Sequence, residues 1–221
     1  MKIFGSRGEH VPIAAIILAA GRSRRMGTQK LLLPWHSKTV IQQVVGESLA
    51  AGLNPVVVVT GGDSAEDTAA IQQALNALPV TVANNPDRDA EMLSSVRCGL
   101  KAVPRECTAA LITPGDLPAI SSALIGQLTQ AIEQTNRGIV MPIYQGTRGH
   151  PTIIAAKYFD EVLTQYNGVG LRGLMAAHPQ DIHELVISDA AVIAEMNTPA
   201  DYQRQLELDR ARRTSEREIS D

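Results

Sequence analysis

The chain has 221 residues, of which 44% are hydrophobic and 19% charged, and its formal net charge is -3 at pH 7. This profile is that of a single soluble domain large enough to bury a sizeable core. Asp and Glu outnumber Lys and Arg by 23 to 20, which argues against a nucleic-acid-binding protein, because such domains carry a positive excess. The two cysteines, Cys98 and Cys107, are too few for a disulfide framework. We therefore expect reduced thiols and a cytoplasmic location.

The two ends of the chain differ from its middle. After the opening "MKIFGSRGEHVP" the apolar run is about eight residues long, short of the roughly 18 that span a bilayer, so we expect neither export nor membrane anchoring. We expect residues 1–11 to be an N-terminal extension and residues 12–208 to form the domain. Residues 209–221 are rich in charge and poor in apolar spacing, which predicts a frayed helix end or a disordered tail.

The hydrophobic pattern predicts strands and helices in alternation. Continuous apolar runs predict strands at 13–20, 55–62, 80–85, 109–116, 138–143, 151–155 and 181–187. Helical spacing predicts helices at 40–51, 64–78, 93–102, 121–136, 158–165 and 170–177, with Thr39 and Ser64 as N-caps. This order predicts an α/β fold with one doubly wound, mostly parallel sheet covered by helices on both faces. Ligands bind beyond the carboxyl ends of the strands in such sheets, which directs attention to the loops after the early strands.

The loop after the first strand combines small residues with cations. The strand ends at Ala19, Ala20 and Gly21, which leave room for a ligand near the backbone, and glycine can adopt a positive φ that turns N–H groups into one concavity. The cations that follow are Arg22, Arg24, Arg25 and Lys30. Arginine and lysine suit phosphate oxygens, although any one of them alone is explained as well by a solvated loop. The pattern is neither a P-loop nor GxGxxG, and we interpret it as a triphosphate-binding loop.

The segment "LAAGRSRRMGTQKLLLPW" resembles the signature of the MobA-like nucleotidyltransferases, which include the molybdenum cofactor guanylyl- and cytidylyltransferases. Three further patches match in order: "NNPDRDAEMLSSVRCGL", "LITPGDLP", and "RGHPTII" followed by "MNTPADY". The likeness extends from about residue 13 to residue 205. "GHP" is similar to the cytidylyl branch, whose members read "AAG" where guanylyl members read "AGG", so Ala20 favours CTP. The resemblance implies a Rossmann-like fold of the nucleotide-diphospho-sugar transferase type.

The resemblance also implies a magnesium site and a mechanism. Asp116 follows an apolar strand, a position that alone is typical of a turn or a cap, and becomes the first Mg²⁺ ligand by resemblance. Asn197 would be the second, although some relatives read "DIDTP" here, so both Glu195 and Asn197 depart from that form and Asn197 could instead cap the last helix. Lys30, Arg25 and Asp116 would be catalytic: Lys30 aligns the phosphates, and Arg25 holds the departing pyrophosphate.

The remaining motif residues are implied to bind the nucleotide or the acceptor. The nucleotide-binding residues are Leu18, Ala19, Ala20, Gly21, Ser23, Arg24, Arg25, Lys30, Ser95, Pro114 and Gly115, and the acceptor-binding residues are Asn85, Gly149, His150, Pro151 and Arg172. Ser95 would contact cytosine, although a serine there can also be a helix cap. A lone His is more often structural, and Arg172 could equally form a surface ion pair. Glu91 replaces a Gly of many relatives, so either the loop takes another path or Glu91 reaches the acceptor. Met26, Met92, Met175 and Trp35 are interpreted as packing residues.

Together these features predict an enzyme that transfers CMP from CTP to the terminal phosphate of the molybdenum cofactor. The products would be molybdopterin cytosine dinucleotide and pyrophosphate, with transient contact to a molybdenum hydroxylase. Three alternatives stay open: transfer to another acceptor or from GTP, a non-catalytic carrier of the cofactor, and a reductase that binds a dinucleotide in the same fold.

Overall fold

A mixed sheet of eight strands lies at the centre of the computed structural model, which describes residues 12–21, 28–61, 64–87 and 91–220. The strands, including a separate two-stranded hairpin, are β1 (Ile13–Leu18), β2 (Pro34–Trp35), β3 (Lys38–Thr39), β4 (Val56–Gly61), β5 (Thr81–Asn85), β6 (Ala109–Pro114), β7 (Ile139–Tyr144), β8 (Thr147–Arg148), β9 (Thr152–Ala155) and β10 (Ile182–Val186). The order in the sheet is β10-β7-β9-β6-β1-β4-β5, with β8 paired to β7, and β2 pairs with β3.

The predicted doubly wound, mostly parallel sheet is confirmed. β1 lies between β4 and β6 and runs parallel to both. β9 is antiparallel to β6 and β7. The connection from β7 to β9 contains no helix and is too short for a parallel crossover, so the chain must return in the opposite direction.

Helices cover both faces of the sheet. They are α1 (Val40–Ala50), α2 (Ala65–Leu75), α3 (Met92–Ala102), α4 (Ser122–Gln134), α5 (Phe159–Thr164), α6 (Leu171–Ala177) and α7 (Pro199–Ser220). Alternate residues of β1 enter two separate cores: Ala15 and Ile17 pack on one face, and Ala14 and Ile16 on the other. Burial on both faces explains why the strand is a continuous apolar run rather than an alternating one.

Both predicted N-caps are confirmed. Thr39 Oγ1 accepts from the Gln42 N–H at 3.4 Å, and the Gln42 side chain accepts from the Thr39 N–H at 2.9 Å, forming a capping box at the start of α1. Ser64 Oγ accepts from the Asp67 N–H at 3.0 Å at the start of α2. None of the described helices is both long and apolar enough to cross a membrane.

The last helix extends beyond residue 208, the predicted end of the domain. Of the two alternatives predicted from residue 209, a frayed helix end or a disordered tail, the structure has the helix, because α7 continues to Ser220. The Asp209 side chain is fully buried and lies 2.7 Å from His36 Nε2 and 2.5 Å from Arg212 Nη2. Arg212 also lies 3.3 Å from Asp189. Polar pairs rather than apolar residues hold this part of α7, so hydrophobic spacing could not reveal it.

Candidate active site

Three distant segments meet beyond the carboxyl ends of β1 and β6. Lys30 begins a short 3₁₀ helix, and its Nζ donates a very short hydrogen bond to the carboxylate of Asp116, which lies two residues past β6. The same ammonium donates to the carbonyl oxygen of Met196 at 3.3 Å. The side chains of Lys30 and Asp116 are only 15% and 19% exposed, so water screens this ion pair weakly. The fold thus concentrates charge at the edge of the sheet where ligands bind.

A cavity of about 250 Å³ opens beside this ion pair. Its lining residues are Leu18, Ala20, Gly21, Lys30, Leu31, Met92, Ser95, Pro114 and Asp116. Most of the described residues predicted to bind the nucleotide therefore lie together. We call this space the nucleotide cavity.

Two residues predicted to bind the nucleotide, Ala19 and Gly115, do not line the nucleotide cavity but pack next to it. Ala19 is 1% exposed, and its N–H donates to the Val59 carbonyl at 2.8 Å, so this amide is not directed at a ligand. The Gly115 N–H donates to the Leu18 carbonyl at 2.9 Å, and a Cβ at Gly115 would lie 3.0 Å from that oxygen. Gly115 thus lets the turn after β6 approach β1 closely, which brings Asp116 to the cavity.

Gly21 does not adopt the left-handed backbone that favours glycine. Its φ is not in the positive region predicted for it, and a Cβ there would meet nothing within 4 Å. The residue is exposed at the cavity edge, so the absence of a side chain leaves the entrance open. Ser23, Arg24 and Arg25 fall in residues 22–27, outside the described residues, together with Arg22 and Met26.

Ser95 lines the nucleotide cavity and accepts a hydrogen bond from the buried side-chain amide of Asn85. Ser95 is 6% exposed and lies in the first turns of α3, whose N-cap is Glu91, so the cap interpretation of Ser95 is wrong. Asn85 Nδ2 donates to Ser95 Oγ and to Ser94 Oγ, each at 3.1 Å. Asn85 is 4% exposed and lines neither the nucleotide cavity nor its larger neighbour, so the structure places it behind Ser95 rather than against an acceptor.

A larger cavity of about 880 Å³ adjoins the first. Its lining residues are Glu91, Met92, Leu93, Met141, Arg148, Gly149, His150, Thr152, Gly168, Val169, Gly170, Leu171, Arg172, Met175, Ala176 and Pro179. We call it the acceptor cavity. Met92 lines both cavities and is 57% exposed, so its interpretation as a packing residue is wrong. Glu91 lines the acceptor cavity, and residues 88–90 just before it lie outside the described residues.

Of the predicted acceptor residues, Gly149, His150 and Arg172 line this cavity, whereas Pro151 is buried beneath it. Gly149 is required because a Cβ there would lie 2.2 Å from the Val192 carbonyl oxygen. The His150 N–H donates to that same oxygen at 2.7 Å. Burial lowers the pKa of the His150 imidazole, and the nearby Asp116 carboxylate opposes this only in part, so the imidazole is neutral at pH 7. His150 therefore borders both the acceptor cavity and the charge at Asp116.

The oxygen donors beside Lys30 fit a metal that arrives with a phosphate ligand. The Lys30 ammonium is held by a carboxylate oxygen and a carbonyl oxygen, so the site already attracts a cation. Asn197 follows the carbonyl donor Met196, and its Nδ2 donates to Glu195 Oε2 at 2.9 Å. Among the described residues no group of three or more His, Cys, Asp or Glu side chains could hold a metal. Magnesium commonly takes one or two protein oxygens and completes its shell with substrate phosphates and water, and the Asp116 carboxylate can supply such an oxygen.

Solved structures with this fold define the class of protein. A nucleotidyl transferase from Methanothermobacter aligns with a TM-score of 0.77 and 25% identity, over 90% of this chain and 97% of that one. A Mycobacterium tuberculosis H37Rv protein, solved in complex with manganese, aligns with a TM-score of 0.73 and 24% identity, over 89% of this chain and 98% of that one. The fold is that of the nucleotidyltransferases.

The sequence assigns the chain within that class. Residues 15–182 match the MobA-like NTP transferase domain, and the chain belongs to this family. The molybdenum cofactor cytidylyltransferase of Escherichia coli is 28% identical over 86% of this chain and 93% of its own. A probable molybdenum cofactor guanylyltransferase of Mycobacterium marinum is 31% identical over 89% and 94%. The resemblance found in the sequence motifs is thus confirmed, and the relatives include users of both nucleotides.

Proposed function

We propose that the protein transfers CMP from CTP to the terminal phosphate of the molybdenum cofactor and releases pyrophosphate. The observation that carries the proposal is the pair of adjoining cavities, joined at Met92, with Lys30 and Asp116 at the edge of the smaller one. A nucleotide in one cavity and a phosphate-bearing acceptor in the other would meet beside these two charges. The proposal includes a cytoplasmic location and transient delivery of the product to a molybdenum hydroxylase.

The chemistry follows from the charges of the two substrates. A terminal phosphate oxygen of the acceptor attacks the α-phosphorus of CTP, the bond to the bridging oxygen breaks, and pyrophosphate leaves with the electron pair. Both reactants are anionic, so the approach requires neutralisation. Asp116 and Asn197 would hold Mg²⁺, which supplies that neutralisation when it is bound. Lys30 pairs with Asp116 in the structure, and its ammonium would turn to the phosphates when the nucleotide binds. Arg25 would hold the leaving pyrophosphate.

The acceptor cavity supports a bulky acceptor. Its volume of about 880 Å³ lies in the range of pockets that enclose a drug-sized ligand, about 300–1,000 Å³. A molybdopterin with its fused rings suits such a space, whereas a sugar phosphate or methylerythritol phosphate would leave most of it to water. Exposed Arg172 offers a positive charge for an anionic group. This feature favours the molybdenum cofactor over a small phosphate acceptor.

The choice of CTP rests on Ala20 and on the size of the nucleotide cavity. Ala20 lines the cavity and matches the "AAG" form of the cytidylyl branch. The cavity of about 250 Å³ next to buried Ser95 suits the smaller pyrimidine base. The Escherichia coli relative is named a cytidylyltransferase, and the Mycobacterium marinum relative is named a probable guanylyltransferase. The nucleobase is therefore the part of the proposal that most needs a direct test.

The test is pyrophosphate release with molybdenum cofactor as acceptor, comparing CTP, GTP, ATP and UTP with Mg²⁺ and with Mn²⁺. Asp116→Asn keeps the size of the side chain and removes its charge, and we expect it to lower the rate on the order of 10²–10³-fold. Asp160→Asn, at an exposed position of α5, is the matched control and should leave the rate unchanged.

Each outcome separates the alternatives. Release with CTP alone, lost in Asp116→Asn, supports the proposal, whereas release with GTP alone overturns the nucleobase and keeps the reaction. Cofactor binding without turnover of any nucleotide would make the protein a carrier. Oxidation of NADPH would assign it to the reductase alternative.

A further inference from the structure

A short loop with an unusual backbone forms one wall of the acceptor cavity. Residues 165–170 connect α5 to α6, and Gly168, Val169 and Gly170 line the cavity. Tyr166, Gly168 and Gly170 have φ values of 75°, 76° and 67°. Left-handed backbone costs energy at a residue with a side chain, as at Tyr166, and persists where surrounding contacts hold it. The contacts that hold this loop therefore also shape the acceptor cavity.

Arg97 of α3 donates two hydrogen bonds to this loop and one to α5 just before it. Its Nε donates to the Val162 carbonyl at 2.8 Å, its Nη1 donates to Asn167 Oδ1 at 2.7 Å, and its Nη2 donates a very short hydrogen bond to the Gln165 carbonyl. The two carbonyls belong to the C-terminal end of α5, where helix carbonyls lack partners within the helix. A planar guanidinium presents these donors in a fixed fork, and a lysine ammonium cannot reach the three acceptors in the same geometry.

The helix that carries Arg97 also carries residues of the nucleotide cavity. Ser95 lies two positions before Arg97, and Met92, at the start of the same helix, lines both cavities. Gly99 packs this helix tightly on the sheet, because a Cβ there would lie 2.4 Å from Ile16 Cγ2. Arg97 therefore joins the loop to a fixed element, and the loop takes its position relative to the nucleotide cavity from that element.

A second set of contacts, centred on the Glu161 carboxylate, holds Tyr166 of the same loop. The Tyr166 hydroxyl donates a very short hydrogen bond to the Glu161 carboxylate, and His178 Nε2 lies 2.8 Å from the same carboxylate oxygen. The Tyr166 ring packs on Gly173, where a Cβ would lie 2.3 Å from the ring. This anchor ties the loop to α5 and α6, but it does not define where the loop stands relative to α3.

We propose that Arg97 is a positioning residue for the acceptor, an inference that rests on the proposed function. The fork of Arg97 holds residues 165–170 at the distance from α3 that forms the acceptor cavity. Loss of the fork lets the loop move, so that Val169 and Arg172 no longer line the cavity as they do here. Binding of the acceptor then weakens, whereas the nucleotide cavity keeps Lys30 and Ser95 unchanged.

The test separates acceptor binding from nucleotide binding in the full-length protein. Arg97→Lys keeps the charge and loses the fork, and Asn167→Ala removes one of its three partners at an exposed position. We expect the acceptor KM to rise about tenfold in Arg97→Lys, equivalent to about 1.4 kcal/mol, and about two- to threefold in Asn167→Ala. The KM for CTP and kcat at saturating acceptor should stay within about twofold of the wild type. Lys101→Gln, exposed on the same helix, is the control and should change neither KM.

A second measurement keeps the inference independent of turnover. Binding of molybdopterin without nucleotide, followed by the fluorescence of its pterin ring, should weaken by the same factors. A wild-type affinity in Arg97→Lys overturns the inference, as does an equal rise in the KM for CTP, which would indicate a general structural role. Absence of pyrophosphate release by the wild type would instead refute the proposed function, and the binding measurement would still decide the role of Arg97.

Discussion

Substitution of Gly99 by Ala tests how α3 is placed on the sheet. A Cβ at Gly99 would lie 2.4 Å from Ile16 Cγ2 and 3.1 Å from Val59 Cγ2. Both neighbours are fully buried strand residues, and their Cγ2 methyl groups branch directly from Cβ, so neither can rotate away without disturbing its strand. The added methyl group therefore pushes the helix away from the sheet or strains the two central strands.

Two opposing effects determine the magnitude. In a helix interior, Ala is favoured over Gly by about 1 kcal/mol. Overpacking a core typically costs about 1–3 kcal/mol, and a contact this close belongs at the upper end of that range. We expect the free energy of unfolding to fall by about 1–2 kcal/mol, which lowers Tm by about 2–8 °C for a chain of this size.

The assay compares two glycines in helix interiors. Gly126 lies within α4, and a Cβ there would meet nothing within 4 Å, so Gly126→Ala gains the helix preference without the clash. Thermal and urea unfolding should show Gly99→Ala below the wild type and Gly126→Ala up to about 4 °C above it. A Gly99→Ala protein that unfolds at or above the wild-type temperature would refute the close packing of α3.

Two further predictions concern the start of α7 and the loop anchor. Thr198 Oγ1 accepts from the Asp201 N–H at 3.2 Å and lies next to Asn197. Thr198→Ala should therefore lower the free energy of unfolding by about 1 kcal/mol and raise the Mg²⁺ concentration needed for half-maximal activity. An unchanged Mg²⁺ titration would contradict a metal role for Asn197. Hydrogen bonds from Tyr166 and His178 lower the pKa of Glu161 below its ordinary value of 4.5, so the folded protein binds this proton less readily than the unfolded chain. Ionised Glu161 stabilises the folded protein fully above about pH 4.5, and this stabilisation is lost as the pH falls to the lowered pKa. In urea unfolding, the free energy of unfolding of Glu161→Gln should therefore fall less than that of the wild type between pH 6 and pH 3.5. Equal losses would show that Glu161 does not contribute.

Much of the architecture could be predicted because burial on both faces leaves a strong pattern in the sequence. β1, β4 and β6 are continuous apolar runs, and Thr39 and Ser64 cap their helices as predicted. The hairpin of β2 and β3 was missed because each strand has two residues, too few for any periodicity. The sequence left a helix end and a disordered tail both open after residue 208, because the anchors of α7 there, Asp209 and Arg212, are polar.

The part of the site that could be predicted consists of charged residues within sequence motifs. Lys30 and Asp116 belong to recognisable motifs, and the structure pairs them across 86 positions of sequence. The role of Met92 was missed because an exposed methionine at helical spacing looks like a core residue. Arg97 lies in a quoted motif, but its partners are mainly backbone carbonyls far along the chain, which no sequence pattern records.

The two cavities draw on different parts of the chain. Apart from α3 and its N-cap, the described lining of the nucleotide cavity comes from residues 18–21, 30–31 and 114–116, and that of the acceptor cavity from residues 141–179. A substitution between residues 141 and 179 can therefore alter the lining of the acceptor cavity and leave the lining of the nucleotide cavity as it is. Among the described residues that line the cavities, only Met92 of α3 borders both. The two cavities thus have largely separate walls, and α3 is the element that they share.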